Sequence, residues 1–195
     1  PDRGFTRVKL CTWDRAGLFA KIAGSFAASG INILSAQIFT RNDGIAIDTF
    51  YVTSGKTGAL VHRDEREKFE DMLLVALSDA PPDFHALMAK PGVSRPAYND
   101  PDDEGLPTRI AFDNQISEAC TVIEVETEDR LGLLYSISEV FAEMHLDITV
   151  AKINTEKGAA ADSFYVVDQN SQKIKDAEVQ ARIKERLLAA VERLK

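Results

Sequence analysis

The stretch DRLGLLYSISEVFAEMHLDI at residues 129–148 repeats, in step and without a gap, DRAGLFAKIAGSFAASGINI at residues 14–33. Asp14, Arg15, Gly17 and Leu18 coincide with Asp129, Arg130, Gly132 and Leu133, and Ile22, Phe26 and Ile33 with Ile137, Phe141 and Ile148. The correspondence runs on through Ala36/Ala151, Ile38/Ile153 and Thr40/Thr155. After a one-residue shortening, DTFYV (48–52) meets DSFYV (162–166). A repeat of this length sets the architecture first: the chain holds two copies of one module.

Each copy follows the same local grammar. A β-rich run (8–12 or 121–125) leads into Asp-Arg-x-Gly-Leu. Apolar residues at helical spacing follow, Leu18, Phe19, Ile22 and Phe26 in one copy and Leu133, Leu134, Ile137 and Phe141 in the other. Asp14 and Asp129 stand where a helix N-cap is expected, accepting hydrogen bonds from first-turn amides. Gly17 and Gly132 let another molecule approach the backbone where the helix begins, and unpaired amides there favour an anion. The same residues can serve only as a cap and a tight turn. Recurrence of the whole set points beyond that to ligand binding.

Around this block the chain reads as strand 5–13, helix 17–29, and strands 32–40 and 45–53 joined by the Asn/Asp/Gly-rich turn 41–44. A second helix is expected over 63–78, with Phe69, Met72, Leu73 and Ala76 on one face, stopped by Pro81 and Pro82. Six of the seven prolines fall between Pro81 and Pro107, alongside Asp100, Asp102, Asp103 and Glu104. Residues 80–107 are therefore expected to be a linker, extended and mobile at its acidic part. TRIAFD (108–113) reads as the last strand of the first module, with its loan to the second module as the alternative. The second module continues with helix 132–143, strands 148–155 and 160–168, and a last helix from about Asp176 striped by Val179, Ile183, Leu187 and Val191. The expected fold is α+β: two ferredoxin-like βαββαβ modules, residues 1–113 and 114–195, each an antiparallel sheet with helices on one face, paired side by side. Side-by-side pairing would set each Asp-Arg-x-Gly-Leu turn near the neighbour's strand, and free sheet edges would allow a homodimer.

Composition excludes several classes. Net charge is −8 and the isoelectric point near 5.0, so no basic face is available to track phosphates and nucleic acid is not an expected partner. No apolar run is long enough to span a bilayer, and neither a membrane partner nor a signal peptide is indicated. Cys11 and Cys120 occupy non-equivalent places, so no disulfide framework is implied and a reducing cytoplasm is the expected setting. The chain begins at Pro1 and enters a strand within a few residues, as a piece of a longer protein would.

With the Asp-Arg-x-Gly-Leu turns set in this repeat, the chain resembles ACT domains, small modules that bind amino acids and regulate metabolic enzymes. The stretches AQIFTRNDGIAIDTFYV (36–52), IAFDN (110–114), TVIEVETEDRLGLLY (121–135) and IKERLLAAVERL (183–194) are similar to the C-terminal tandem ACT region of bifunctional protein-PII uridylyltransferase/uridylyl-removing enzymes. That resemblance implies a glutamine-sensing regulatory region. Its partners would be the enzyme's catalytic domains and, through them, the PII signal protein. Ala16 and Leu131 stand where such turns often carry proline. The ligand's carboxylate would sit on the amides of Arg15 to Leu18 or of Leu131 to Leu133. Its ammonium would meet Asn32 or Asp147 and nearby backbone, where Ile33 and Ile148 continue the strands. Because a charged hydrogen bond is about twice as strong as a neutral one, the site that includes Asp147 is expected to bind better, completed by the turn 14–18 of the first module.

Catalytic chemistry is not expected within these residues. Gly24 and Ser25 lie inside a helix with no carboxylate pair after them, and His62, His85 and His145 are isolated. No cofactor is expected here, and magnesium or another divalent ion only in separate catalytic domains. Two other readings stay open: a docking or dimerisation module without a ligand, and a stand-alone ACT-repeat amino-acid-binding protein.

Overall fold

The computed structural model describes residues 4–41, 43–78, 80–89, 106–156 and 158–194. In chain order the elements are β1 (Thr6–Trp13), α1 (Leu18–Ala28), β2 (Ile31–Phe39), β3 (Ile45–Ser54), α2 (Arg63–Ala76) and α3 (Phe84–Met88). Then come β4 (Arg109–Asp113), β5 (Thr121–Glu128), α4 (Leu133–Glu143), β6 (Asp147–Glu156), β7 (Ala159–Val167) and α5 (Ala177–Glu192). All strands join one antiparallel sheet in the order β1-β3-β2-β6-β7-β5-β4. Alternation along β1 turns Val8 and Leu10 toward the core and Arg7, Lys9, Cys11 and Trp13 away from it. The helices cover the inner face, with α1 packed on α2 and α4, and α4 on α5. Among the described residues no helix is long and apolar enough to cross a membrane.

The two modules meet along β2 and β6, where Ala36 pairs with Ile153 and Ile38 with Ala151. These are equivalent positions exchanged, so the join has an approximate two-fold axis. Both strands also carry a bulge at the same place, between Ile33 and Ser35 and between Ile148 and Val150. The internal symmetry brings the turn of each module against the first residues of the other module's inner strand. Phenylalanines fill each half: Phe26 stacks on Phe69 at 4.0 Å and packs on Phe50, and Phe141 meets Phe164 edge-on at 5.1 Å.

Two features differ from the sequence expectations. Residues 109–113 do not close the first module. As β4 they pair with β5, Ile110 opposite Val125 and Phe112 opposite Ile123. The short connection 114–120 makes the adjacent strand the accessible partner, whereas β1 lies at the far edge of the sheet. Asn114 fastens the connection, accepting from Thr121 Oγ1 at 2.7 Å and donating to the Ile174 carbonyl at 3.1 Å. Among the described residues the first module therefore has three strands, and β4 gives the second module four.

The other feature is α3, inside the segment expected to be linker. Asp83 caps it by accepting from the Ala86 amide at 3.0 Å. Phe84, 3% exposed, wedges against α1 at Gly24, where an added Cβ would stand 2.7 Å from the ring. It also meets Tyr135 of α4 edge-on at 5.2 Å, and His85 pairs with Glu139 at 2.7 Å. The helix thus straps the seam between the modules. The acidic part of the expected linker, residues 90–105, lies outside the described residues, as does Asn42 of the hairpin turn.

Candidate functional site

The Asp-Arg-x-Gly-Leu turns have one geometry. The Leu18 amide donates to the Arg15 carbonyl at 3.0 Å, and the Leu133 amide to that of Arg130 at 2.9 Å. Gly17 (φ 70°, ψ 12°) and Gly132 (φ 88°, ψ −1°) take the left-handed third position of a type II turn. Each glycine is also the N-cap residue, its carbonyl accepting the first bond of the helix, from Lys21 or Ser136. Asp14 and Asp129 are therefore not the caps that the sequence suggested. They stand three residues before the cap glycine, too far back to reach the amides of the first turn. Asp14 instead accepts from Thr40 Oγ1 at 3.2 Å, and Asp129 from Asn32 Nδ2 at 3.1 Å.

The arginines do structural work. Arg15 Nη1 donates to the Leu77 carbonyl at 3.3 Å at the end of α2, and Arg130 Nη1 to the Leu194 carbonyl at 3.2 Å after α5. A cation at a helix C-terminus satisfies its orphan carbonyls and its dipole together. Each turn is tied in this way to its module's second helix. Because Leu18 and Leu133 spend their amides in the turn, an incoming anion is left with those of the neighbouring turn and first-helix residues.

The symmetry sorts the fourteen expected residues into two sites. Asp14, Arg15, Ala16, Gly17 and Leu18 face Asp147 and Ile148 across one cavity of about 530 Å³. Asn32 and Ile33 meet Asp129, Arg130, Leu131, Gly132 and Leu133 around a void of only about 20 Å³. The second place is shut twice over. Asn32 is bound to Asp129, and an added Cβ on Gly132 would lie 2.7 Å from Met88 Sδ of α3. Burial pushes the Asp129 carboxyl up, against the lowering effect of the Asn32 side chain and the Arg130 amide.

The first cavity is open and acidic. Its walls are apolar at Leu18, Ile38, Ala46 and Phe141, with hydroxyls at Thr40, Ser138 and Thr149. Asp14 and Asp147 are exposed at its rim, while Asp48 of β3, 2% exposed, lines it from within. Burial raises the Asp48 carboxyl to about 6, against the lowering effect of the Phe39 amide and with the Asp14 charge adding to the rise. Its counterpart Asp162 rises to about 7, again by burial first. Sequence reading passed over both aspartates. The signal was present in the repeated DTFYV and DSFYV, where a carboxylate recurs at a core-facing strand position. Among the described residues no cluster of three His, Cys, Asp or Glu side chains is arranged to hold a metal.

The closed site yields a direct expectation. Asn32→Asp sets a second carboxylate against Asp129 and should cost about 1–3 kcal/mol, the range for a buried acceptor that loses its donor. Thermal denaturation at pH 7 should show the loss, and the gap to the parent should narrow toward pH 4 as the facing carboxylates take up protons.

Residues 109–194 match the family described as ACR9-like, ACT-like domain. This interval begins at β4, in agreement with that strand's place beside β5. Over 195 residues the chain is 37% identical to the bifunctional uridylyltransferase/uridylyl-removing enzyme of Azospirillum brasilense, covering 97% of the chain and 20% of the relative. The enzyme of the same name from Gluconobacter oxydans (strain 621H) is 34% identical over 98% of the chain and 20% of the relative. That of Rhodospirillum rubrum is 34% identical over 192 residues, with the same coverage. The chain spans about a fifth of the length of these curated relatives. Two ferredoxin-type modules in one sheet, the paired turns and these likenesses agree: the second module matches an ACT-like domain, the first repeats its plan, and the chain is similar over its length to a fifth of bifunctional uridylyltransferase/uridylyl-removing enzymes.

Proposed function

We propose that this chain is an amino-acid-sensing regulatory region, with glutamine as its ligand, of a protein-PII uridylyltransferase/uridylyl-removing enzyme working in the cytoplasm. The observation that carries the reading is the cavity of about 530 Å³ between the turn of the first module and the start of β6. It lies within the range of small-molecule sites and combines two features that a zwitterion needs. One is the opening turn of α1, whose orphan amides and dipole favour a carboxylate. The other is Asp147, an exposed carboxylate on the same cavity, placed to receive an ammonium. Because turn and strand come from different modules, a bound ligand would bridge the two and bias how they sit together. That is a physical route to catalytic domains elsewhere in the longer chain.

Isothermal titration with glutamine, set against glutamate and asparagine, tests the reading. Asp147→Asn should weaken glutamine binding by about 1–2 kcal/mol, the range for a charge-assisted hydrogen bond. Asn32→Asp, remote from this cavity, should leave the affinity of the folded protein unchanged. An Asp147→Asn variant that binds like the parent would remove Asp147 from the site. Absence of heat with all three amino acids at millimolar concentration would sink the sensor reading.

A further inference from the structure

The cavity has a polar group at its base that neither the turn nor Asp147 explains. Asp48 is among the most buried acidic residues of the chain, yet it faces this space. The Phe39 amide donates to its Oδ1 at 3.4 Å, a long bond, and the carboxyl group lines the cavity. A carboxylate held in a largely apolar setting favours a ligand that brings it a hydrogen-bond donor. The rim groups, Asp14, Arg15 and Asp147, are exposed, whereas Asp48 is not. A ligand whose charged head meets the rim would thus direct its side chain toward Asp48.

We infer that Asp48 is the specificity-determining residue of this cavity, accepting a hydrogen bond from the side-chain carboxamide of the ligand and excluding a side-chain carboxylate. This rests on the amino-acid reading given above and states which chemistry the site selects. A carboxamide offers two N–H donors to Asp48, whereas the carboxylate of glutamate offers only acceptors and a like charge. A site built around a buried hydrogen bond rejects the analogue that lacks the matching group far more strongly than an apolar pocket rejects a change of size. The equivalent Asp162 has no such role. It receives the equivalent bond, from the Asn154 backbone amide at 3.1 Å, but it does not line the small void beside Asn32.

Protonation gives an independent handle. The charged groups facing Asp48 across the cavity are Asp14, Arg15 and Asp147, and Arg15 is engaged with the end of α2. With its carboxyl raised to about 6, Asp48 is mostly ionised at pH 7.5 and mostly protonated at pH 5. The protonated form donates, so it tolerates a ligand carboxylate that the ionised form repels. Preference for glutamine over glutamate should therefore be large at pH 7.5 and shrink as pH falls through that value.

The test titrates the chain with glutamine and glutamate, as parent, Asp48→Asn and Asp162→Asn, at pH 7.5 and pH 5. The parent should prefer glutamine by about a hundredfold or more at pH 7.5, as expected where a buried polar group is left unmatched. Asp48→Asn, whose amide can donate to either side chain, should bring the two affinities within about threefold, a difference well under one hydrogen bond. Asp162→Asn should keep the parent's ratio. Should Asp48→Asn not fold, the parent's own loss of preference at pH 5 carries the test. A ratio unchanged in Asp48→Asn, or a parent ratio equal at both pH values, would overturn the role of Asp48 while leaving a glutamine sensor intact. A parent that binds neither amino acid overturns the sensor reading and this inference together.

Discussion

Phe84→Ala should destabilise the chain by about 3–5 kcal/mol, the range for removing a buried phenylalanine. The ring fills a slot between Gly24 and Tyr135, and no other side chain of α3 is buried. A five-residue helix cannot persist without such an anchor, since most helical stability comes from packing. Its loss should free Met88 from Gly132 and expose the seam between α1 and α4. Denaturant titration measures the first effect. Hydrogen exchange measures the second, as loss of protection over residues 84–89 ahead of the sheet. Gly24→Ala should produce the same local release from the opposite side, because its Cβ would stand 2.7 Å from the Phe84 ring. A Phe84→Ala protein with parental stability would mean that α3 is not a strap.

The second large effect separates the site from the fold. Gly17→Val places a β-branched residue at φ 70°, a left-handed conformation costing about 1–2 kcal/mol for L-residues and more for a branched one. Room is not the issue, as the nearest atom to an added Cβ is that of Ala142 at 3.8 Å. The strain falls on the turn that opens α1, so glutamine binding should drop below detection while the variant still folds. Gly132→Val, at φ 88° and against Met88, should lose at least as much stability. It lies at the closed site, however, and should retain glutamine affinity. Calorimetric melting and titration of the pair give the two readouts. Loss of binding in both variants would show that neither turn acts alone.

The sequence carried the repeat, and with it the modules, the turns and the pairing of each turn with the partner's inner strand. Such features are local, or follow from internal symmetry once the β2 and β6 faces are recognised as equivalent. What escaped it was non-local. Arg109–Asp113 reads as a strand in any context, but its partner depends on which sheet edge is nearest in space. The anchoring of α3 rests on one phenylalanine meeting a glycine sixty positions away in sequence, which no periodicity reveals. Asp14 and Asp129 looked like caps because aspartate before a helix is usually one; the type II turn moved the cap to glycine. The inequality of the two sites was half visible, in Asp147 against Asn32, and half hidden in Met88. Asp48 was missed because a buried acid gains meaning only from the cavity beside it.

The most direct test of the account is the crystal structure of the chain grown with millimolar glutamine. The account predicts one bound molecule in the cavity between residues 14–18 and Asp147, its carboxylate on the α1 amides and its carboxamide within hydrogen-bonding distance of Asp48, with the Asn32 to Asp129 hydrogen bond intact. Glutamine at the turn of residues 129–133 with Met88 displaced, or a first cavity left empty in a chain that binds glutamine in solution, would contradict it.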